Sequence, residues 1–187
     1  MPALPLVNQL PPGPHYGILA EFATPADLYH ACERVRDEGF TRWDAHSPFP
    51  VHGLDRAMGL RRSKLPWVVF VLAMGGAAGG FALQSWVHSV AYPSVLSGKP
   101  FFAWPAYIPV TFELGVLGGA LGAVFGILAF NKLPRHHHPL FASTSFERAS
   151  DDRFFISIES RDPRFDASAT PELLRQAGAS RLEWLTA

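Results

Sequence analysis

The sequence predicts an α+β membrane protein: a two-helix transmembrane hairpin inserted into a split βαβ–βαβ ferredoxin-like cytoplasmic domain. Three observations carry that reading. Two apolar, glycine-rich runs fill the middle of the chain, at residues 65–90 and about 106–130. Basic residues flank the pair but not the segment between the runs. The two polar ends repeat one pattern: strand, Thr-Pro, helix, Gly, strand.

The first run contains no Asp, Glu, Lys or Arg, and the second contains one charge, Glu113. At ~1.5 Å per residue, a helix over either run exceeds a hydrocarbon core of ~30 Å, so each reads as a span. Arg56, Arg61, Arg62 and Lys64 precede the first span, and Lys132 and Arg135 follow the second. The connector at residues 91–103 carries only Lys99. Cationic loops stay in the cytoplasm, so both termini are expected there and the connector outside. Trp67, Trp86, Tyr92, Trp104 and Tyr107 lie near the span ends, where amphipathic rings favour the interface.

The 187 residues carry no net charge, which gives no reason to expect a nucleic-acid partner. The single cysteine, Cys32, excludes an intrachain disulfide, a Cys-x-x-Cys-His haem attachment, a Cys-rich iron–sulfur run and a thiolate zinc site. Residues 1–14 have no basic region or long apolar run. Their prolines suggest an extended arm rather than a signal peptide.

Residues 15–60 form the first expected half of the cytoplasmic domain, ending in an irregular juxtamembrane loop. HYGILAEF at 15–22 reads as a strand. Thr24 can cap a helix, Pro25 suits its first position and Asp27 completes a capping-box pattern. Leu28, Ala31, Cys32 and Val35 recur at helical spacing, and Gly39 ends the run. FTRWDA at 40–45 reads as a second strand, followed by SPFPVHGLDRAMGL without periodicity. Residues 65–130 are the hairpin, and 134–187 form the second half. There FFISIES at 154–160 reads as a strand and Thr170-Pro171-Glu172 as a helix start. Gly178 is a stop, and RLEWL at 181–185 is a last strand. Each half alone has only roughly 55 residues, marginal for a core, which favours one shared domain over two lobes.

Glycines recur at four-residue spacing in both spans: Gly75 with Gly79 and Gly76 with Gly80, then Gly115 with Gly119 and Gly118 with Gly122 and Gly126. Such spacing lets helices approach closely, either the two spans with each other or each with another subunit. Gly75, Gly79, Gly118 and Gly122 are the candidate subunit contacts within the spans. Phe49, His52, Asp55 and Arg56 are the candidates in the juxtamembrane loop. Pairing residue 65 with residue 130 puts Glu113 level with about Ala82. Gln84 is then its nearest polar neighbour, with Ser85 next and His88 about a turn further out. Glu113, Gln84 and His88 thus form either an interhelical polar contact or a proton relay. His136, His137 and His138 are adjacent in an extended segment, where side chains diverge, so a headgroup-level turn is favoured over a metal site. Asp44, His46 and Ser47 lack a nucleophile elbow or oxyanion loop. No phosphate loop or dinucleotide glycine pattern occurs. No catalytic, cofactor or metal site is expected in this chain.

The string SPFPVHGLDRAMGLRRSKLPW at 47–67 runs straight into the first span. Together with HYGILAEF, the Pro139-Leu140-Phe141 turn and SDDRFFISIESRDPRFD at 150–166, it resembles one family. That family is the small two-span membrane subunit of the bacterial alternative complex III, a quinol-oxidising respiratory assembly. The resemblance covers nearly the whole chain from His15. It implies the bacterial inner membrane and a non-catalytic accessory role in electron transport. It also implies partners: multi-span quinol-site subunits, an iron–sulfur subunit and cytochromes c, with haem c and iron–sulfur clusters held by those partners. Two alternatives stay open: a contribution to proton movement through Glu113, or a free-standing small membrane protein.

Overall fold

In a computed structural model of the chain, residues 15–95 and 97–186 are described. The arm expected over residues 1–14 lies outside them. In chain order the elements are β1 (His15–Phe22), α1 (Pro25–Asp37), β2 (Trp43–His46), α2 (Leu54–Ala57), α3 (Leu65–Trp86), α4 (Ile108–Phe130), β3 (Phe154–Glu159), α5 (Ala169–Gln176) and β4 (Arg181–Thr186). A π-helical turn, Val87–Ala91, continues α3, and a 3-10 turn, Trp104–Tyr107, leads into α4. The chain divides into two compact units: the part up to Arg61 with the part from His136 onward, and the stretch Arg62–Arg135.

The first unit is built on a four-stranded antiparallel sheet in the order β2-β3-β1-β4. Strands from the two ends of the chain alternate in it: β1 lies between β3 and β4, with Ile18 opposite both Ile158 and Trp184. Successive strand side chains point to opposite faces. One face therefore gathers Ile18, Ala20, Phe22, Phe154, Ile156, Ile158, Leu182 and Trp184 against Leu28, Ala31, Cys32 and Val35 of α1 and Leu174 of α5. Burying each large apolar side chain stabilises the fold by ~1.5–3 kcal/mol. The Cys32 thiol belongs to this core. Burial pushes its pKa up to about 12, and the charges of Asp44 and Glu33 add to the shift, so the thiol stays protonated and inert.

Local chemistry explains the element ends. The Thr24 hydroxyl accepts the Asp27 backbone N–H at 3.1 Å and starts α1 at Pro25. Gly39 leaves it at φ +83°. The strand expected over 40–45 begins only at Trp43, because the Asp162 carboxylate accepts the backbone N–H groups of Thr41 at 2.7 Å and Arg42 at 2.6 Å. Those donors are thereby withdrawn from the sheet ladder. Helix α5 starts at Ala169, just before the expected Thr170, because Asp166 takes the N–H groups of Ser168 and Ala169, each at 2.8 Å.

The opposite sheet face has its own small core of Leu19, Phe155 and Leu185. The segment carrying the 3-10 turns Pro139–Ala142 and Ser145–Ser150 covers it through Leu140 and Phe146. The Glu183 carboxylate accepts the Ser143 hydroxyl at 2.9 Å and also that of Ser145, tying the cover to β4. The juxtamembrane loop is likewise fixed. The Arg36 guanidinium donates to the carbonyls of Arg56 and Ala57, both at 3.1 Å, at the end of α2.

The second unit is an antiparallel pair of apolar helices. With the turns that extend them, the helical stretches Leu65–Ala91 and Trp104–Phe130 each span 27 residues, long and apolar enough to cross a membrane.

Candidate functional site

Glycine sets the seam between α3 and α4. A Cβ at Gly76 would stand 2.2 Å from the Leu114 carbonyl oxygen, and one at Gly118 would stand 2.5 Å from that of Leu72. In both cases the obstacle is backbone, so no larger residue fits without parting the helices. Gly80, Gly122 and Gly126 receive the side chains of Leu114, Leu72 and Leu65. Gly118 and Gly122 therefore face the hairpin's own seam, toward α3. Gly75 and Gly79 lie on the other side of α3, with nothing within 4 Å of where a Cβ would stand.

These contacts also correct the helix register. Gly76 meets Leu114 and Gly115, and Gly126 meets Leu65. Glu113 is consequently level with about Ala78, one turn away from the expected Ala82. Gln84 is level with Tyr107, and its amide donates to the carbonyls of Gly80 and Tyr107, each at 3.1 Å. The Ser85 hydroxyl donates to the Phe81 carbonyl at 2.8 Å. The anticipated Gln84–Glu113 contact is thus absent. Glu113 is exposed on the outer surface of the hairpin, with no hydrogen bond or ion pair among the described residues.

Tyr107 organises the connector end of the hairpin and was expected at the interface with the other aromatic residues. Trp67, Trp86, Tyr92 and Trp104 are exposed, as interfacial rings would be, whereas Tyr107 is fully buried. Its hydroxyl donates to the Phe101 carbonyl at 3.0 Å and accepts the Ala103 N–H at 3.3 Å. The His88 ring leans on it at 5.2 Å between centroids. The sequence signal that was available is Gln84, whose amide within an apolar span needs hydrogen-bond partners.

In the sheet unit, His52, Asp55 and Arg56 are exposed, and Phe49 is half exposed with its ring edge-on to Phe154 at 5.5 Å. His46 Nε2 lies 3.1 Å from the Ser157 hydroxyl, and burial lowers its pKa against the opposing pull of Asp44. Ser47 turns away and donates to the Phe49 carbonyl at 2.7 Å, so Asp44, His46 and Ser47 form no relay. His138 Nε2 lies 3.2 Å from the Tyr16 hydroxyl. Among the described residues, no three His, Cys, Asp or Glu side chains converge to hold a metal ion.

A protein-family model described as Alternative complex III, ActD subunit, matches residues 16–183. The chain belongs to the ActD family. The match takes in both the sheet unit and the hairpin, so the ActD chain is a two-helix membrane subunit of an electron-transport complex. No curated protein matches the chain. In this ActD chain the glycine seam lies between α3 and α4, while the outer surface of the hairpin keeps a carboxylate, Glu113, and two open glycines, Gly75 and Gly79.

Proposed function

We propose that this chain is an accessory, structural subunit of the quinol-oxidising complex, docking on multi-span quinol-site subunits and carrying no redox centre. The observation that supports this best is Glu113 on the outer surface of α4. Because the 3-10 turn runs into α4 without a break, Glu113 lies roughly 15 Å below Trp104 at ~2 and then ~1.5 Å per residue. A charge at such a depth costs ~2.5–3.5 kcal/mol against lipid, so it calls for a protein or water neighbour. The hairpin supplies none, and a partner subunit would. Gly75 and Gly79 offer such a partner a close approach to α3. Phe49, His52, Asp55 and Arg56 offer a second contact from the sheet unit. Haem c and iron–sulfur clusters reside, on this reading, in the cytochrome c and iron–sulfur partners.

The sheet order also fits a ferredoxin-like βαβ–βαβ domain in which the membrane hairpin replaces the usual turn between β2 and β3. Basic flanks support both ends being cytoplasmic with the connector outside, and the family supports a bacterial inner membrane. Purifying a tagged chain in mild detergent tests the assignment. Haem absorption bands should co-purify with it, and a colourless preparation would refute it. The outward carboxyl of Glu113 favours one further reading, a role in proton movement with a partner. Glu113→Gln keeps a hydrogen-bonding group but cannot carry a proton. Assembly with normal quinol turnover and proton release would exclude the relay.

A further inference from the structure

The connector end of the hairpin holds a cleft of about 350 Å³, lined by His88, Tyr92, Ser94, Lys99 and Phe101 among others. Its polar side chains are an imidazole, a phenol, a hydroxyl and an ammonium. All can donate hydrogen bonds, and no carboxylate competes for them. The sequence has no acidic residue at all between Asp55 and Glu113. The cleft is also braced. Ser97 at φ +48° and Gly98 at φ +74° turn the chain back, bringing Lys99 to the same cleft as Ser94. The buried Tyr107 hydroxyl holds the Phe101 carbonyl, and the Tyr107 ring supports His88. The π-helical turn Val87–Ala91 carries His88 at the end of the apolar helix. Exposed Trp86, Tyr92 and Trp104 mark that level as the headgroup region of a bilayer.

We infer that this cleft binds the phosphate headgroup of an anionic phospholipid. Lys99 supplies the charge, His88, Tyr92 and Ser94 supply hydrogen bonds, and Phe101 lies beside the glycerol and upper acyl chain. The inference rests on the two helices spanning the bilayer. Alkaline washing of membranes tests that premise separately, since a spanning chain stays in the pellet.

Native mass spectrometry of the full-length chain, released from detergent with phosphatidylglycerol or phosphatidylcholine, tests the site. The wild-type chain should retain phosphatidylglycerol in preference to phosphatidylcholine. Lys99→Gln should weaken that retention about fivefold, the effect of one cation near a lipid surface. Lys99 is exposed, so the variant should fold, and Lys99→Arg should restore binding. Lys132→Gln, at the other end of the hairpin, should leave the preference intact. Equal loss in Lys99→Gln and Lys132→Gln, or no preference in the wild type, would overturn the site. Displacement of the lipid by millimolar inorganic phosphate would make it a free-anion site and overturn the lipid assignment.

Discussion

Single residues in this chain divide into those that hold a close approach and those that leave one open. Gly118 and Gly75 are both span glycines, yet only Gly118 faces backbone: a Cβ there would stand 2.5 Å from the Leu72 carbonyl oxygen. Gly118→Val should therefore part the two helices and lower the yield of folded hairpin. Gly75→Val should leave the hairpin intact and weaken assembly with partner subunits. Blue-native gels beside circular dichroism of the isolated chain separate the two effects. Equal behaviour of both variants would refute the division of labour. Asp162 is the corresponding residue in the sheet unit. Burial opposes its ionisation, but the N–H groups of Arg164, Arg42 and Thr41 outweigh burial and hold its pKa below the usual carboxylate range. The stability it contributes is present above the ordinary value of about 3.9 and is lost as pH falls through the depressed folded value. Asp162→Ala leaves three backbone donors without their acceptor. It should cost about 1–3 kcal/mol at neutral pH and flatten the acid limb of a pH–stability curve.

At the scale of elements, β1 has neighbours on both edges, and both come from the far end of the chain. Ile156, fully buried opposite Ala20, lies at the junction of sheet and α1. Ile156→Asp should lower the melting temperature of the whole sheet unit in one transition, read by probes at Trp43 and Trp184 together. Two separate transitions would contradict a shared core. Most of these elements were legible locally: β1 from HYGILAEF, α1 from its Thr24 cap and its stripe, and β3 from the alternation of FFISIES. What escaped was whatever depended on a distant partner. The cover over the second sheet face is built from 3-10 turns, which have no sustained period, and its apolar contacts are spread over Leu140, Phe146 and Ala149. The hairpin register escaped because small residues recur every few positions in both spans. Registers one turn apart then offer similar seams, and the choice falls to details such as the Gln84 amide reaching the Tyr107 carbonyl. The outward position of Glu113 follows from that register and could not be read before it.

On the scale of the whole molecule, the chain combines a sheet unit closed by its two ends and a membrane hairpin with an unfinished outer surface. A reporter active only outside the cytoplasm should work when inserted in the connector and be silent at either terminus. Activity at the carboxyl terminus would refute the expected orientation. The sheet has a temporal consequence as well. When a ribosome has made β1, α1 and β2, none of these strands has its neighbour, because β3 and β4 are still unmade. More than a hundred residues separate Ile18 from Ile158, and the entire hairpin is synthesised between them. Membrane insertion thus comes before the sheet can close. Until then β1 waits with two bare edges, the condition in which strands most readily pair with the wrong neighbour. A chain stalled before residue 154 should be degraded or held by chaperones while its hairpin is already in the bilayer, so the sheet unit reaches its folded state only after the whole hairpin has been made.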